Sequence, residues 1–461
     1  MIDSLVDPAQ WAQIQFGLAQ LGDKRRNKRL VNIAQHLASN PGGTLPKALP
    51  DRAELKAAYR FFGQRGVTFD QVLDPHVQKT RDACRQAGEY LLIEDTTCLD
   101  YSSHRATENL GVIGDGGGRG FDLHSTLAVR IEAWTAEQRP QGRVVGLFDQ
   151  QCRTPRPAPK GETRSQLLRR PRKSQLWASA FKTAGCAPQG CQWVYVADRE
   201  SDCYEPLQLC QQHKVDFVVR SCQNRILDQK AGYLDEALAK APVLGRSTIE
   251  LRARPGVPAR TAIVEIRSTR VDLKGPYRPG GSQPALKDIG VIEVTEVELP
   301  QTVKEPLHWV LLTSLPCATF EESKRVVGRY TARWWIEEYH KALKSGVGVE
   351  DSQLGRADRL EVLIAVLAVV ALRLLGTKML ARSRPDSYEA AESFGPEMLT
   401  VLEKKLGLLN PQWTNQNVII AIARLGGFLA RKHDGMPGWQ TIWRGWQRLI
   451  WMCQGAELIH L

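Results

Sequence analysis

The chain has 461 residues, of which 43% are hydrophobic and 24% are charged. This balance is typical of a folded protein of about two to four domains and excludes an intrinsically disordered chain. Lysine and arginine outnumber the acidic residues by 62 to 50, which gives a net charge of +12 and a pI near 9.2. Such a basic excess favours a polyanionic partner.

Cysteine usage and hydropathy indicate a cytoplasmic protein. The ten cysteines are scattered without a CxxC pair, so we expect reduced thiols and no zinc finger. The first residues are acidic and lack the basic-then-apolar pattern of a signal peptide. The longest apolar run, 362–372, is too short to cross a bilayer and predicts a buried helix. We therefore expect no membrane partner.

Residues 1–68 are predicted to form a helical, DNA-binding domain. Leu30, Ile33 and Leu37 recur at helical spacing, which predicts one buried helix face. Cations at a helix start oppose the helix dipole, so the basic cluster here needs another explanation. It is either a solvated helix end or a contact to a phosphate backbone. The cluster consists of Lys24, Arg25, Arg26, Lys28 and Arg29, and the last four are the predicted DNA contacts.

From about residue 85 the pattern changes to strands and helices in the order βββαβαβ. This order predicts a mixed sheet with helices on its faces, including helices near 174–184 and 204–213. The Arg/Pro-rich segment 153–173 interrupts it, and its eight basic residues predict exposure. Residues 245–300 alternate with period two between Pro/Gly turns, which indicates an antiparallel β insertion at about 230–305.

Two aspartates stand at the ends of predicted buried strands. Asp95 lies in LLIEDTT and Asp198 lies in VYVADRESD. A carboxylate just past a buried strand sits at the sheet edge where ligands usually bind. An N-cap or turn role explains each aspartate when it is taken alone.

The stretch 326–350 is predicted to form one long amphipathic helix. An ordinary solvated stripe would carry alternating Glu/Lys pairs without aromatic residues. One acid among bases suits a metal-binding carboxylate flanked by phosphate-binding groups, and spacing alone leaves both interpretations open. At about 100° per residue, one narrow stripe contains Tyr330, Arg333, Glu337, Lys341 and Lys344.

Glu337 would complete a set of three carboxylates with Asp95 and Asp198. Three converging carboxylates can hold two Mg²⁺ ions about 4 Å apart, an arrangement suited to in-line phosphoryl transfer.

Several motifs carry a resemblance to a known family. Tyr330, Arg333, Glu337 and Lys344 fit the pattern Y-x2-R-x3-E-x6-K without a gap. The two aspartate motifs precede it in the expected order. Other matching segments run almost from end to end: LGDKRRNKRLVNIA, AYRF, FVVRS, WVLLTS and IAIARLGGF. In these motifs the chain resembles bacterial insertion-sequence transposases of the DDE type with the Tyr-Arg-Glu-Lys signature.

The resemblance implies an α/β fold with an RNase H-like catalytic core. That core would span 69–360, carry the β insertion and be flanked by helical domains at 1–68 and 361–461. Asp95, Asp198 and Glu337 would be the catalytic, metal-binding triad for two Mg²⁺ ions, with Mn²⁺ as a possible substitute. Four nearby acids are secondary candidates, as metal ligands, outer contacts or caps: Glu94, Glu338, Glu200 and Asp202.

The resemblance also implies DNA contacts around the scissile bond. Trp309, 21 residues before Tyr330, matches a family tryptophan that receives a flipped base. A tryptophan packed in the core is the alternative. Trp335 stands where a basic residue is expected, so one DNA contact is expected to differ. The implied phosphate contacts are Tyr330, Arg333, Lys344, Lys341 and Arg220.

The implied function is Mg²⁺-dependent cut-and-paste transposition. A homodimer joined by the C-terminal helices would bind terminal inverted repeats in double-stranded DNA, excise them through a hairpin and join them to target DNA. Two alternatives remain: a different RNase H-like nuclease or resolvase, and a DNA-binding relative that has lost catalysis.

Overall fold

The protein is described from a computed structural model. The predicted basic segment 153–173 falls largely outside the described residues, because 157–160 and 164–172 are not among them. The described residues are 7–40, 42–156, 161–163, 173–251, 259–278, 280–300, 305–383, 385–431 and 433–459.

The N-terminal region is helical, as its periodicity predicts. Local caps determine where the helices begin: the Asp23 carboxylate accepts the Arg25 N–H at 2.8 Å, and Thr68 forms a capping box with Gln71. The face with Leu30, Ile33 and Leu37 is buried. The helices are α1 (Pro8–Phe16), α2 (Lys24–Ser39), α3 (Leu45–Ala48), α4 (Arg52–Phe62) and α5 (Phe69–Ala83).

The centre of the molecule is a large mixed sheet with helices on both faces. Its first part contains three antiparallel strands, followed by two strands parallel to β1, in the spatial order β4-β3-β1-β5-β6. The short strand β2 also pairs with β3. The six strands are β1 (Gly88–Asp100), β2 (Gly111–Ile113), β3 (Gly118–Trp134), β4 (Pro140–Arg153), β5 (Cys191–Ala197) and β6 (Asp216–Ser221).

One of the two helices between these strands is shorter than the sequence predicts. The helix expected near 174–184 consists of a 3-10 turn, Lys173–Gln175, further turns, and the four-residue helix α6 (Phe181–Ala184). Trp177 and Phe181 pack into the core from these turns, so burial there does not need a regular helix. The next helix agrees with its prediction: α7 is Tyr204–Gln212.

The β insertion extends the same sheet. Its strands pair antiparallel in the order β12-β11-β8-β7, and β12 pairs with β6, so one sheet runs from the central strands into the insertion. The added elements are α8 (Leu234–Lys240), β7 (Val243–Leu251), β8 (Arg260–Leu273), β9 (Tyr277–Arg278), β10 (Gly281–Ser282), β11 (Leu286–Glu296) and β12 (His308–Thr313).

The prediction of one uninterrupted helix over 326–350 is wrong. The stretch contains α9 (Phe320–Thr331), α10 (Trp334–Lys341) and a π-turn, Ala342–Gly346. Between the two helices the hydrogen bonds change to the i→i−3 type, at Arg333, Trp335 and Ile336. The backbone of Arg333 stays in the helical region, so the amphipathic pattern continues across the break. Periodicity therefore could not reveal it.

The C-terminal region is helical and packs on the N-terminal helices and one sheet face. Among the described residues, one stretch, Ala357–Met379, is long and apolar enough to cross a membrane, but 83% of its apolar window is buried inside the protein. That agrees with the buried helix predicted from 362–372. The helices are α11 (Ala357–Ser383), α12 (Glu389–Leu406), α13 (Asn415–Leu425) and α14 (Trp439–Ile459).

Two hydrophobic cores sandwich the sheet. Alternate residues of β1 face opposite sides: Leu91 and Ile93 join the core under the terminal helices and α10, while Tyr90 and Leu92 join the core under α6 and α7. None of the ten cysteines forms a disulfide, as the sequence predicts.

Helix α14 comes close to the end of α13 at Gly426 and Gly445, and this contact gives the first prediction. A methyl group added at Gly445 would overlap the backbone carbonyl of Ile422, while one added at Gly455 in the same helix meets nothing within 4 Å. We expect Gly445→Ala to lower the free energy of unfolding by about 1–3 kcal/mol. Gly455→Ala should raise it by about 0.5–1 kcal/mol through helix propensity. Urea unfolding of both variants measures the difference, and equal effects would contradict the close approach.

Candidate functional site

The sheet brings Asp95 and Asp198 side by side. Parallel pairing of β1 with β5 ends at Ile93 and Val196, and each aspartate lies two residues beyond that pair. Asp198 follows its strand, as predicted, and caps a 3-10 turn by accepting the Glu200 N–H at 2.9 Å. Asp95 lies inside β1, because β1 stays paired with β3 as far as Asp100. Beyond Ile93, β1 is therefore paired with β3 on one side but no longer with β5 on the other, and Asp95 lies next to this unpaired side.

The guanidinium of Arg333 joins the predicted carboxylates. Its Nη1 lies 3.4 Å from Asp95 Oδ2, and its Nη2 forms an ion pair with Glu337 Oε1. The side chains of Arg333 and Asp95 are 19% and 17% exposed, whereas that of Glu337 is 46% exposed. The break before α10 places Arg333 between helix and sheet, so one cation bridges carboxylates from β1 and α10.

The site carries more negative charge than its surroundings accommodate easily. Burial, together with the Asp198 and Glu337 charges, raises the pKa of Asp95 to about 6, although Arg333 acts in the opposite direction. For Arg333, burial lowers the pKa, but Tyr330, Glu337, Asp95 and Asp198 outweigh burial and raise it. A nearby cation therefore favours the ionised form of Asp95.

Within the part of the chain that is described, no three Asp, Glu, His or Cys side chains lie close enough together to hold a metal ion. The donor chemistry of the three carboxylates still suits a hard divalent cation, since Mg²⁺ prefers carboxylate oxygens. Arg333 contacts two of these carboxylates in this arrangement.

The two acids adjacent to the triad face away from it. Glu94 is 1% exposed; it accepts hydrogen bonds from Thr126 Oγ1 at 2.9 Å and from the Ala178 N–H at 2.8 Å. Glu338 is 5% exposed and lies 2.8 Å from Lys378 Nζ. Alternation along β1 and the helical turn of α10 explain these directions.

Glu200 and Asp202 also have their own partners. Glu200 forms an exposed ion pair with Lys173 at 2.6 Å. Asp202 is 1% exposed and accepts N–H groups from Cys222 at 2.8 Å and Gln223 at 3.2 Å, besides an ion pair with Arg225. The Asp202 carboxylate therefore anchors the loop after β6 and does not cap a helix N-terminus.

Tyr330, Trp309 and Arg220 meet beside the carboxylates. The rings of Tyr330 and Trp309 pack edge to face with centroids 5.0 Å apart, and Trp309 is half-buried on β12. Arg220 Nη2 donates to the carbonyl of His308 at 3.1 Å. Burial raises the pKa of Tyr330, while Arg333 and Arg220 act in the opposite direction. The indole is thus both packed against the core and next to the charged site.

The two lysines of the predicted stripe, Lys341 and Lys344, point in different directions. Lys344 Nζ donates to the carbonyl of Cys98, three residues after Asp95, and lies 3.4 Å from Glu350. Lys341 is 57% exposed and lies 3.5 Å from Glu338. The π-turn after α10 changes the helical phase of Lys344, which turns this lysine towards β1.

The basic residues of α2 separate into two groups. Arg25 and Lys28 are exposed, although Arg25 contacts Asp23 at 3.0 Å. Arg26 and Arg29 are partly buried: Arg26 donates to the carbonyl of Leu21, and Arg29 pairs with Glu54. The exposed pair is the more accessible to a phosphate backbone.

Sequence reasoning missed two lysines near this region. Lys173 forms an ion pair with Glu200, which lies in the turn after Asp198. Lys378 contacts Glu338, and its signal in the sequence is a lysine that follows the long apolar run of α11. A cation in a buried part of a helix usually has a buried partner.

The raised pKa of Asp95 predicts a pH-dependent stability. Because the pKa of Asp95 is higher in the folded state than in the unfolded state, its ionisation lowers the free energy of unfolding of the protein as pH rises from about 4 through about 6. We therefore expect Asp95→Asn, in metal-free buffer at pH 7.5, to raise the free energy of unfolding by about 1–3 kcal/mol. The gain should vanish below about pH 4. Urea unfolding across pH measures it, and a gain that does not change with pH would contradict the raised pKa.

Comparisons with known proteins bear on the two helical regions. Residues 8–67 match a transposase DNA-binding domain, and residues 369–460 match the Tn5 transposase dimerisation domain. The carboxylates and Arg333 lie outside both matches. The chain is also similar to a cryo-EM structure of the piggyBac transposase synaptic complex with hairpin DNA, at 9% identity and a TM-score of 0.34. That likeness covers 94% of this chain and 84% of the other, but so low a TM-score does not establish a common fold. The two domain matches support a Tn5-like DNA transposase that forms a dimer.

Proposed function

We propose that the chain is a Mg²⁺-dependent DDE transposase that excises an element from double-stranded DNA and joins it to target DNA. The observation that carries the proposal is the pair Asp95 and Glu337 on one guanidinium, with Asp198 at the adjacent strand end. The domain matches at either end supply DNA binding and dimer formation. A phosphoryl-transfer site between such domains is what a transposase needs.

In this proposal Asp95, Asp198 and Glu337 hold the divalent ions. The metal would supply an activated nucleophile and charge stabilisation at the leaving oxygen. The raised pKa of Asp95 supports a cation at this position, since a nearby positive charge is what keeps that carboxylate ionised at neutral pH. Arg333 would then contact a DNA phosphate rather than two carboxylates, which suits a planar, permanently charged group.

The groups around the carboxylates would hold the DNA end. Tyr330, Arg333 and Lys344 would contact phosphates beside the scissile bond. Lys341 is exposed enough to bind one turn further along. Arg220, near the end of β6, lies beside Tyr330. Together they would neutralise the strand that enters the site.

Excision through a DNA hairpin is part of the proposal. A freed 3′-hydroxyl would attack the opposite strand, and the half-buried Trp309 would stack on a base flipped out of the duplex. Its edge-to-face contact with Tyr330 places the indole next to a proposed phosphate-binding residue. Covalently closed ends on a denaturing gel would support this route, and products that are only open-ended would contradict it.

An RNase H-like core is also proposed. It is supported by the spatial order β4-β3-β1-β5-β6, with three antiparallel strands followed by two strands parallel to β1. In this order the carboxylates of β1 and β5 are adjacent, and the later helix α10 supplies the third acid. The arrangement is the one that the resemblance implies.

The triad assignment predicts the effect of three substitutions. Asp95→Ala, Asp198→Ala and Glu337→Ala should each lower the rate of Mg²⁺-dependent cleavage of the element's end DNA by more than about a hundredfold. End-DNA binding should remain, because the DNA-binding domain is separate. Glu321→Ala, at an exposed acid of α9, serves as the control and should cleave like the parent.

The same assay separates the alternatives. If all three variants cleave normally, the triad assignment is wrong. A parent protein that binds end DNA but never cleaves it would instead be a catalytically silent relative.

The exposed cations of α2 predict a salt-dependent contact. Each phosphate contact contributes about 0.9 to the slope of log affinity against log salt. Arg25→Ala combined with Lys28→Ala should therefore lower that slope by about 2, measured by fluorescence anisotropy on end DNA. Lys240→Ala, at an exposed lysine of α8, should leave the slope unchanged. An unchanged slope in the α2 variant would mean that this surface does not contact DNA.

A further inference from the structure

A buried ion pair joins the proposed catalytic helix to the C-terminal region. Glu338 of α10 lies 2.8 Å from Lys378 Nζ of α11, and the two side chains are only 6% and 7% exposed. Charges so deeply buried must be paired, and breaking such a pair leaves a costly uncompensated charge. The contact is therefore a fixed and directional connection between the two helices.

Lys378 has a second partner, which belongs to the last helix. Its Nζ lies 4.1 Å from the ring centroid of Trp439, the first residue of α14. A cation over an indole face is attracted by the ring quadrupole, more strongly where water is excluded. Trp439 is itself buried. Both residues lie within 369–460, the segment matched by the dimerisation domain.

Helix α10 needs such an anchor because it is short and interrupted on both sides. It has eight residues, with i→i−3 hydrogen bonds before it and a π-turn after it. Its rotation about its own axis is therefore fixed less strictly by α9 than it would be in one continuous α-helix. Ile336 and Tyr339 pack the helix against the core, and Tyr339 Oη also accepts a buried hydrogen bond from Gln150 Nε2 at 2.8 Å. The ion pair of Glu338 adds a directional contact at the residue next to Glu337.

The anchored residue stands next to the proposed metal ligand. Neighbouring residues on a helix point about 100° apart, so the direction of Glu338 fixes the direction of Glu337. With Glu338 held towards Lys378, Glu337 faces Arg333 and the carboxylates of the sheet. A small rotation of α10 would move the Glu337 carboxylate out of that position.

We propose that Lys378 is a positioning residue that sets the rotation of α10 through Glu338, and so places Glu337 at the reaction centre. The proposal rests on the proposed function, in which Glu337 binds metal. It gives the dimerisation segment, through Lys378 and Trp439, a direct mechanical role in catalysis. Lys378 itself touches neither DNA nor metal in this role.

The test compares three variants with the parent protein. Lys378→Arg keeps the charge. Lys378→Met removes the buried cation beside Glu338 and leaves the contact with the exposed Lys341 at 3.5 Å, so it is expected to reduce folding. The decisive variant is therefore Glu338→Gln combined with Lys378→Met. That double variant removes both charges together and avoids an uncompensated buried charge. Each is measured for melting temperature, affinity for end DNA and single-turnover cleavage at saturating protein.

If Lys378 is a positioning residue, its loss should slow cleavage while folding and affinity for end DNA stay close to those of the parent. The double variant should fold and bind end DNA within about threefold of the parent, while its single-turnover cleavage falls at least about tenfold. Lys378→Arg should retain cleavage within about threefold, because the charge and the contact remain. Parent-like cleavage by the double variant would overturn the proposal, since the pair would then be dispensable.

The chain offers a matched control pair on the neighbouring helix. Arg329 of α9 lies 2.7 Å from Glu89 of β1 and 5.0 Å from the ring centroid of Trp134, and it is similarly buried. It thus repeats the cation, carboxylate and indole arrangement on the other side of the helix break. Glu89→Gln combined with Arg329→Met should leave single-turnover cleavage within about threefold of the parent. A tenfold loss there as well would overturn the specific role of Lys378.

Hydrogen exchange separates failure of this proposal from failure of the proposed function. Loss of the anchor should speed amide exchange in α10 in the double variant, but not in the control pair variant. If the parent protein does not cleave DNA, the proposed function fails, and exchange in α10 alone decides whether Lys378 fixes that helix. Unchanged exchange in the double variant would overturn the positioning role.

Discussion

Much of this structure depends on how one buried guanidinium is matched to carboxylates from separate parts of the chain. Asp95 comes from the middle of β1, Asp198 from the end of β5 and Glu337 from α10. Burial and the neighbouring Asp198 and Glu337 charges disfavour the ionised form of Asp95, and a nearby cation favours it. Arg333 meets that requirement in this structure, and a divalent ion would meet it in the proposed reaction. The need for a cation thus links the fold to the proposed chemistry.

The surrounding architecture keeps this charged group in position through contacts that do not themselves react. Glu94 is hydrogen-bonded beneath the site, and Asp202 fixes the loop after Asp198. Glu338 reaches Lys378 on the opposite side of α10. Each of these acids lies within four residues of a proposed metal ligand, yet each is turned into the protein. Acids close together in sequence therefore divide into a group at the candidate site and a group that holds the fold.

Several features were predictable from residue patterns alone. Helical periodicity predicted the buried face of α2, the long apolar run 362–372 predicted the buried helix α11, and period-two alternation predicted the β insertion. Other predictions failed where hydrogen bonding changes without a change in hydrophobic pattern. The break between α9 and α10 and the π-turn after α10 are of this kind. So is the continuation of β1 past Asp95, which depends on pairing with the distant strand β3.

The sequence by itself determined the residue types and their order: two aspartates after apolar strands, then a tyrosine, arginine, glutamate and lysine at fixed spacing. The reason is that local periodicity and motif spacing are properties of the chain before it folds. Only the tertiary structure decided which of the paired acids face one another, where Lys344 points, and that Lys378 reaches Glu338. Those outcomes depend on contacts between residues far apart in the chain, where burial and ion pairing act across elements that no local pattern encodes.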